Sequence, residues 1–408
     1  MADGLLNKAS IILTPTGYKA GTLYNVAPID EPYEDFDFAR TSTATRINSS
    51  GLVSNVATGV PRISYDSNGD NGHILLEPTS TNLVGLSEFI NPSQPGWTEL
   101  ATNTYTNNYS TAPDGNQTST RVQFVNPNSS SQLYYLFNST SGEYSASIYA
   151  KGSGTLKFGF YDNASILTDE ITLTSEWQRF EVTKTLQTTF GARFWIYPEG
   201  ASAATDIEIW GAQAEALSYA TSYIPTLTGS TETRATETAT GAGSADLINS
   251  TEGVLYAEIA ALADDGTDRK ISLNDGTNDN QIVVGFSRFS GNINAEIFYN
   301  GNLQSSGWGA TSVTQNNLNK FALSWQNGNY KFFYNGVKTV DQSISNTPSG
   351  LNQVKFSYGN NTQPMFCECK ALAVFNEALT DDELELLTGV TNYGSFSELA
   401  SANGYTII

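Results

Sequence analysis

Alternation of apolar and polar residues, interrupted by turn-forming pairs, is the feature that most limits what this chain can become. In Tyr144–Ala150, Tyr144, Ala146 and Ile148 alternate with Ser145, Ser147 and Tyr149. Leu156, Phe158 and Phe160 alternate with Lys157 and Gly159, while Phe180 and Val182, Phe194 and Ile196, and Ile207 and Ile209 each share a face. Successive side chains of a strand point to opposite faces, so a period of two makes half-buried strands rather than amphipathic helices. Turn signals recurring at roughly 8–12 residues then argue for antiparallel sandwiches. Further on, Asn327-Gly328 and Asn335-Gly336 separate Lys320–Gln326, Tyr330–Tyr334 and Val337–Val340, which predicts a three-stranded meander. Met365–Phe375 reads as another strand. Thr380-Asp381-Asp382-Glu383 reads as a capping box opening a short helix that carries Leu384, Leu386 and Leu387.

Composition agrees. Charged residues are only 15% of the chain, and Asn, Ser, Thr and Gly fill the difference, as expected for short strands joined by many turns. At 408 residues and 39% hydrophobic, the chain is long and apolar enough for two or three cored domains and is not disordered. The net charge of −21, with 20 Lys and Arg and no basic run, argues against a nucleic-acid partner. No stretch approaches the ~18 apolar residues of a membrane span, so membrane insertion is not expected. The opening MADGLLNKASIILTPTG does not read as a secretion signal.

Six segments follow from these patterns: an N-terminal arm (1–37), a short hairpin segment (38–84), one sandwich (85–227), a linker rich in Gly, Ser, Thr and Ala (228–246), a second sandwich (247–398) and a C-terminal tail (399–408). Within the hairpin segment, Ile63-Ser64-Tyr65 and Ile74-Leu75-Leu76 flank a loop containing Asn68-Gly69 and Asn71-Gly72.

The segment 38–84 contains, in order, Ala44-Thr45-Arg46, Gly51-Leu52, Val60-Pro61-Arg62-Ile63-Ser64-Tyr65-Asp66 and Leu75-Leu76-Glu77-Pro78-Thr79-Ser80-Thr81-Asn82-Leu83. This succession resembles a segment shared by bacteriophage virion proteins, tail fibres and related adhesins. Trp177-Gln178-Arg179-Phe180, Ile209-Trp210-Gly211-Ala212-Gln213-Ala214-Glu215, Ala220–Thr226 and Thr233-Arg234-Ala235-Thr236 resemble a jelly-roll carbohydrate-binding module embedded in phage fibres. Phe333-Tyr334-Asn335-Gly336-Val337 and Phe375–Leu384 resemble a laminin-G or concanavalin A-like module. The expected fold is therefore all-β: two antiparallel β-sandwiches, a jelly roll and then a concanavalin A-like one, preceded by an N-terminal arm. The resemblance implies a non-enzymatic virion structural protein, assembled in the host cytoplasm. Its expected position is a tail fibre or receptor-binding adhesin, with capsid decoration or a head fibre as the alternative. Its implied partners are other virion proteins, host surface polysaccharide and further copies of itself, a trimer by analogy with phage fibres. The arm's aromatics within its acidic run, Tyr33 and Phe36, and the adjoining Phe38 become candidate virion-anchoring residues.

Catalytic chemistry is hard to find. A Ser–His–acid device needs a histidine base, and the single histidine, His73, comes without a nucleophile elbow. Asp206 and Glu208 share a strand face but lack the third acid of a sandwich glycosidase, which disfavours a polysaccharide-degrading enzyme. Cys367-x-Cys369 has too few neighbouring ligands for a metal and reads as two thiols in or beside a core. No cofactor is expected, apart from a structural calcium candidate. Asp66, Asn68, Asp70 and Glu77 mimic a calcium loop but lack its glycine, so a turn is favoured there. An oxygen-rich loop offers Asp275, Asn278 and Asp279 as the better calcium candidates. Sugar binding uses exposed rings that stack on a pyranose. Trp308 between glycines, and Tyr149, Tyr161, Trp195 and Tyr197 on strands whose other face is apolar, are the glycan-binding candidates.

Overall fold

The computed structural model describes residues 4–15, 17–28, 34–187, 191–390 and 394–402. Among them the chain is almost entirely β, with α-helices only at Asp381–Thr388 and Phe396–Ala402. The strands form two antiparallel β-sandwiches, a jelly-roll type and a concanavalin A-like type.

The first sandwich pairs two sheets. One runs Trp97–Leu100, Gln132–Phe137, Ala192–Pro198, Gly154–Tyr161, Ile166–Leu173; the other runs Thr104–Thr106, Thr120–Gln123, Asp206–Glu215, Gly142–Gly152, Gln178–Leu186. The alternating residues meet between them: Ala146, Ile148, Phe158, Phe160, Val182, Phe194, Ile196, Ile207 and Ile209 share one core. Each large apolar side chain so buried contributes about 1.5–3 kcal/mol.

The second sandwich draws on far more of the chain than 247–398. Among the described residues its eight-stranded sheet runs Val337–Ser343, Asn329–Tyr334, Asn319–Gln326, Glu252–Ala261, Cys367–Phe375, His73–Leu76, Ile63–Ser64, with Ala9–Leu13 also on Cys367–Phe375. Its nine-stranded partner runs Tyr18–Lys19, Thr22–Leu23, Phe36–Ala39, Thr238–Ala242, Gln353–Lys355, Arg269–Asn274, Gln281–Phe286, Asn292–Tyr299, Asn302–Thr311. The N-terminal arm thus precedes the first sandwich in sequence but is woven into the second. Ile11, Leu13, Leu23 and Phe36 lie in that sandwich's core. The expected linker supplies two strands, Glu232–Arg234 and Thr238–Ala242. Its small residues are there for packing: Ala239 and Ala242 are buried in a strand flanked by Phe36–Ala39 and Gln353–Lys355.

The first sandwich is consequently an insertion into a discontinuous second one. The chain enters it through Ser80–Asn82 and leaves through Glu232–Arg234, and these two strands pair with each other, Ser80 opposite Arg234 and Asn82 opposite Glu232.

Local expectations hold. Asn327 and Asn335 have φ of 51° and 46°, followed by Gly328 and Gly336 at 72° and 84°. Both central residues are left-handed, the geometry of type I′ hairpins, and they join the meander. The segment hairpin pairs Ile63 with Ile74 and Ser64 with His73. Thr380 and Glu383 form a reciprocal capping box on Asp381–Thr388. Cys367 and Cys369 are free and fully buried, and burial pushes both thiols up in pKa.

Candidate functional site

The polar residues of segment 38–84 converge with those of the exit from the first sandwich. Arg62, immediately before the first strand of the hairpin, donates from Nε to Glu237 at 2.8 Å, and its Nη2 lies 2.8 Å from Glu77 and also pairs with the second Glu237 oxygen. Arg40 meets Glu237 at 2.6 Å, and Arg234 meets Glu77 at 2.8 Å. All five side chains are at most 4% exposed. Ser222 donates to Glu77 from its backbone N at 2.7 Å and its hydroxyl at 2.6 Å. Burial opposes ionisation of Glu77, but Arg234, Arg62 and the Ser222 bonds outweigh it and hold the carboxyl down at about 2. A second knot lies alongside: Glu215 accepts from Ser80, Gln213 and the Thr221 backbone, and Gln213 accepts from Ile224 N at 2.6 Å. The motifs of segment 38–84 and of the exit from the first sandwich thus form a buried polar seam joining the two sandwiches.

Above this seam opens a cleft of about 350 Å³ with walls from three sources. Segment 38–84 gives Arg46, Tyr65 and His73; the first sandwich gives Tyr149, Arg179 and Glu181, and its exit Tyr219; the second sandwich gives Asn316 and Glu368. Tyr149 and Arg179 face each other across paired strands, and the guanidinium sits 5.9 Å from the Tyr149 ring. Arg179 is anchored by Glu181 at 2.9 Å and Ser147 at 2.9 Å. Burial pushes the Tyr149 phenol up and the Tyr219 phenol to about 12, so both stay neutral donors near neutral pH. Arg46 donates from Nη1 to the Tyr18 hydroxyl at 2.8 Å, while its buried Nε has no acceptor among the described residues. His73 Nδ1 lies 3.0 Å from the Asn71 carbonyl and Nε2 3.8 Å from Glu368. Neutral phenols, a mixed set of charges and an orphaned donor suit a polyhydroxylated ligand, and a concavity of this size between domains suits a small one.

The other sequence candidates fall elsewhere. Tyr161, Trp195 and Tyr197 lie together on the outward face of the first sandwich, with centroids 5.3 Å and 4.7 Å apart in turn. Trp195 and Tyr197 are only 4% and 3% exposed, so these two rings support that face rather than offer themselves to a ligand. Trp308 lies not in a loop but in the edge strand Asn302–Thr311, 45% exposed and edge-on to exposed Phe289 at 5.7 Å. Sequence reading missed Arg46, Arg179 and Tyr219 as cleft residues. Two of them sit inside motifs already singled out, Ala44-Thr45-Arg46 and Trp177-Gln178-Arg179, and no local signal marks the third.

Tyr33 lies outside the described residues. Phe36 and Phe38 are corrected from anchoring residues to core residues. Phe36 is fully buried 5.4 Å from the Phe356 ring, and Phe38 is 4% exposed under Arg40, because strand Phe36–Ala39 turns both rings into the sandwich. In the oxygen-rich loop, Asp275 accepts from Thr277 and Asn280, Asn278 accepts from Asn360 N, and Asp279 is exposed. Among the described residues no group of three or more His, Cys, Asp or Glu could hold a metal. Asp66 likewise accepts from Asn68, Asp70 and Asn71 within its own turn. Asp206 is paired with Arg121, and Glu208 with Lys151 and Ser119.

No known family profile matches the chain, and no curated protein matches it. Solved structures similar to parts of it include the CBM40 of Ruminococcus gnavus IT-sialidase bound to α2,3-sialyllactose, 20% identical over 36% of this chain and 87% of that one, TM-score 0.32. The Caenorhabditis elegans galectin LEC-6 is 17% identical over 31% of this chain and 83% of that one, TM-score 0.25. Domain 4 of the arabinanase AbnA of Geobacillus stearothermophilus, in complex with arabinotriose, is 13% identical over 38% and 73%, TM-score 0.32. At these scores the similarities do not bear on what this chain binds.

Proposed function

We propose that this protein is a non-enzymatic bacteriophage virion structural protein that binds host-surface glycans, placed in the tail fibre or receptor-binding apparatus. The observation that carries glycan binding is the cleft, where Tyr65, Tyr149 and Tyr219 stand beside Arg46, Arg179, Glu181 and Asn316. Rings take the apolar face of a sugar, and the charged and amide groups take its hydroxyls. The virion assignment rests on the resemblance of segment 38–84. Many copies on one particle would sum weak contacts into firm adhesion. The non-enzymatic reading is supported by the pairing of Asp206 with Arg121 and of Glu208 with Lys151.

Three measurements test this. Gold-labelled antibody on intact particles should decorate the tail tip or fibres; label spread over the capsid would move the protein to head decoration, and no label would remove the virion reading. A glycan array should give ligands that Tyr149→Ala loses and that Glu181→Gln, at the exposed rim, weakens without lowering the melting temperature. Release of reducing ends from a bound polysaccharide would overturn the non-enzymatic assignment.

A further inference from the structure

A row of side chains crosses four strands on the outward face of the first sandwich: Leu136, Arg193, Tyr161 and Ile166, each opposite the next in register. The row ends are apolar and exposed, Leu136 at 48% and Ile166 at 61%. Between them Arg193 is clamped by two tyrosines, its guanidinium carbon 4.5 Å from the Tyr134 ring centroid and 4.9 Å from that of Tyr161. Trp195 braces Tyr161 edge-on at 5.3 Å and is itself fixed by Nε1 donating to Gln132 at 3.1 Å.

Arginine carries five N–H donors. Among the described residues none of those of Arg193 has a protein acceptor, its Nε is buried without one, and no carboxylate lies within ion-pair distance. Neighbouring cations on this sandwich are neutralised: Lys157 by Glu170, Lys184 by Asp169, Arg179 by Glu181. A stacked guanidinium is already ordered, so little side-chain entropy is lost when it binds. Its fork matches a carboxylate with two parallel bonds, and the apolar row beside it matches the flat face of a sugar ring.

We propose that Arg193, with Tyr134 and Tyr161, forms a second binding site, separate from the cleft, that takes the carboxylate of an acidic saccharide. The inference rests on the glycan-binding reading of the protein but not on the cleft being its site.

The test is calorimetric titration of the full chain with a tetragalacturonate, and with the same oligomer after its carboxyls are reduced to alcohols. The acid form should bind and weaken as salt rises, and the reduced form should bind about ten- to a hundredfold more weakly, the range of a charge-assisted hydrogen bond. Arg193→Gln should bring the acid down to the level of its reduced form with an unchanged melting temperature. Arg193→Lys, which keeps charge but loses the fork, should fall between and serves if the first variant folds poorly. A sulfated neutral oligomer of equal length binding as well as the uronate would overturn the choice of carboxylate. Equal binding of acid and reduced forms, no binding of the acid, or undiminished binding by both Arg193 variants would overturn the site. Glycans lost with Tyr149→Ala but untouched by Arg193→Gln would leave the cleft standing alone; uronate lost with Arg193→Gln but kept by Glu181→Gln would do the reverse.

Discussion

At the scale of the single residue, Glu77 has the most consequence. Among the described residues it is the only carboxylate paired with Arg234, and it shares Arg62 with Glu237. A buried pair is not necessarily better than a hydrophobic contact, but removing one partner strands the other charge out of water. Glu77→Gln keeps the shape and leaves Arg234 unpaired, so urea denaturation at pH 7 should show a loss of about 3–5 kcal/mol. The pH dependence has a definite sign. The carboxyl titrates at about 2 when folded against an ordinary 4.5, so its contribution is full above 4.5 and disappears as pH falls toward 2. That shift corresponds to roughly 3 kcal/mol. The difference between the wild-type and Glu77→Gln stability profiles should therefore shrink across that window, and a constant difference down to pH 2 would show that Glu77 is not held ionised by its arginines.

At the scale of elements, two glycines explain why segment 38–84 has its spacing. Gly51 and Gly69 have φ of 74° and 82°, and a Cβ on either would come within 2.2 Å of Ser67 O or 2.3 Å of Ser49 O. Two loops therefore meet backbone to backbone. Gly51→Ala should cost at least about 1–2 kcal/mol from the left-handed conformation alone, read as a lowered melting temperature. Strand Phe36–Ala39 gives the other element-scale test. Phe36→Ala should destabilise by about 3–5 kcal/mol, as for a core ring, whereas a surface anchor would lose only particle incorporation. These elements also mark how much the sequence disclosed. Alternation, Asn-Gly turns and the Thr380 capping box act over a few residues, and they were read correctly because both partners of each interaction sit in the same short window. Strand Ala9–Leu13 pairs Ile12 with Ala373, and Thr238–Ala242 takes its place because Phe36–Ala39 lies beside it. Nothing within either segment names its partner, so one read as an arm and the other as a linker. The candidate site fared likewise. Tyr149 is legible as an outward aromatic on a strand whose other face is apolar, but Arg46, Tyr219 and Arg193 acquire their roles only from strands brought together from elsewhere in the chain.

At the scale of the whole molecule, the insertion of one sandwich into the other determines what can fold alone. Among the described residues, the buried members of the first sandwich's core cluster all lie between Val84 and Ala214, with Leu83 packed at its edge. The second sandwich needs Ile11, Leu13, Leu23, Phe36, Ile74, Leu76, Ala239 and Ala242 in addition to residues after 247. A fragment spanning 83–227 should therefore give a cooperative thermal transition and dispersed amide resonances. A fragment spanning 247–398, although it matches a module boundary in sequence, should stay unfolded, because its two sheets, one without Ala9–Leu13 and His73–Leu76 and the other without Thr238–Ala242, expose unpaired strand edges and the core beneath them. The buried polar seam adds a coupling between the two. Glu77 and Arg62 flank the second sandwich's hairpin, Ser222 lies on the exit from the first, and the cleft is walled by both. Glu77→Gln should then weaken any glycan bound in the cleft even where the protein is still folded, while leaving binding at Arg193, which lies wholly on the inserted sandwich, unchanged. If the 247–398 fragment folds with native-like dispersion, or if Glu77→Gln affects both sites alike, the two sandwiches do not depend on each other as insert and host, and the polar seam is not what fixes the cleft.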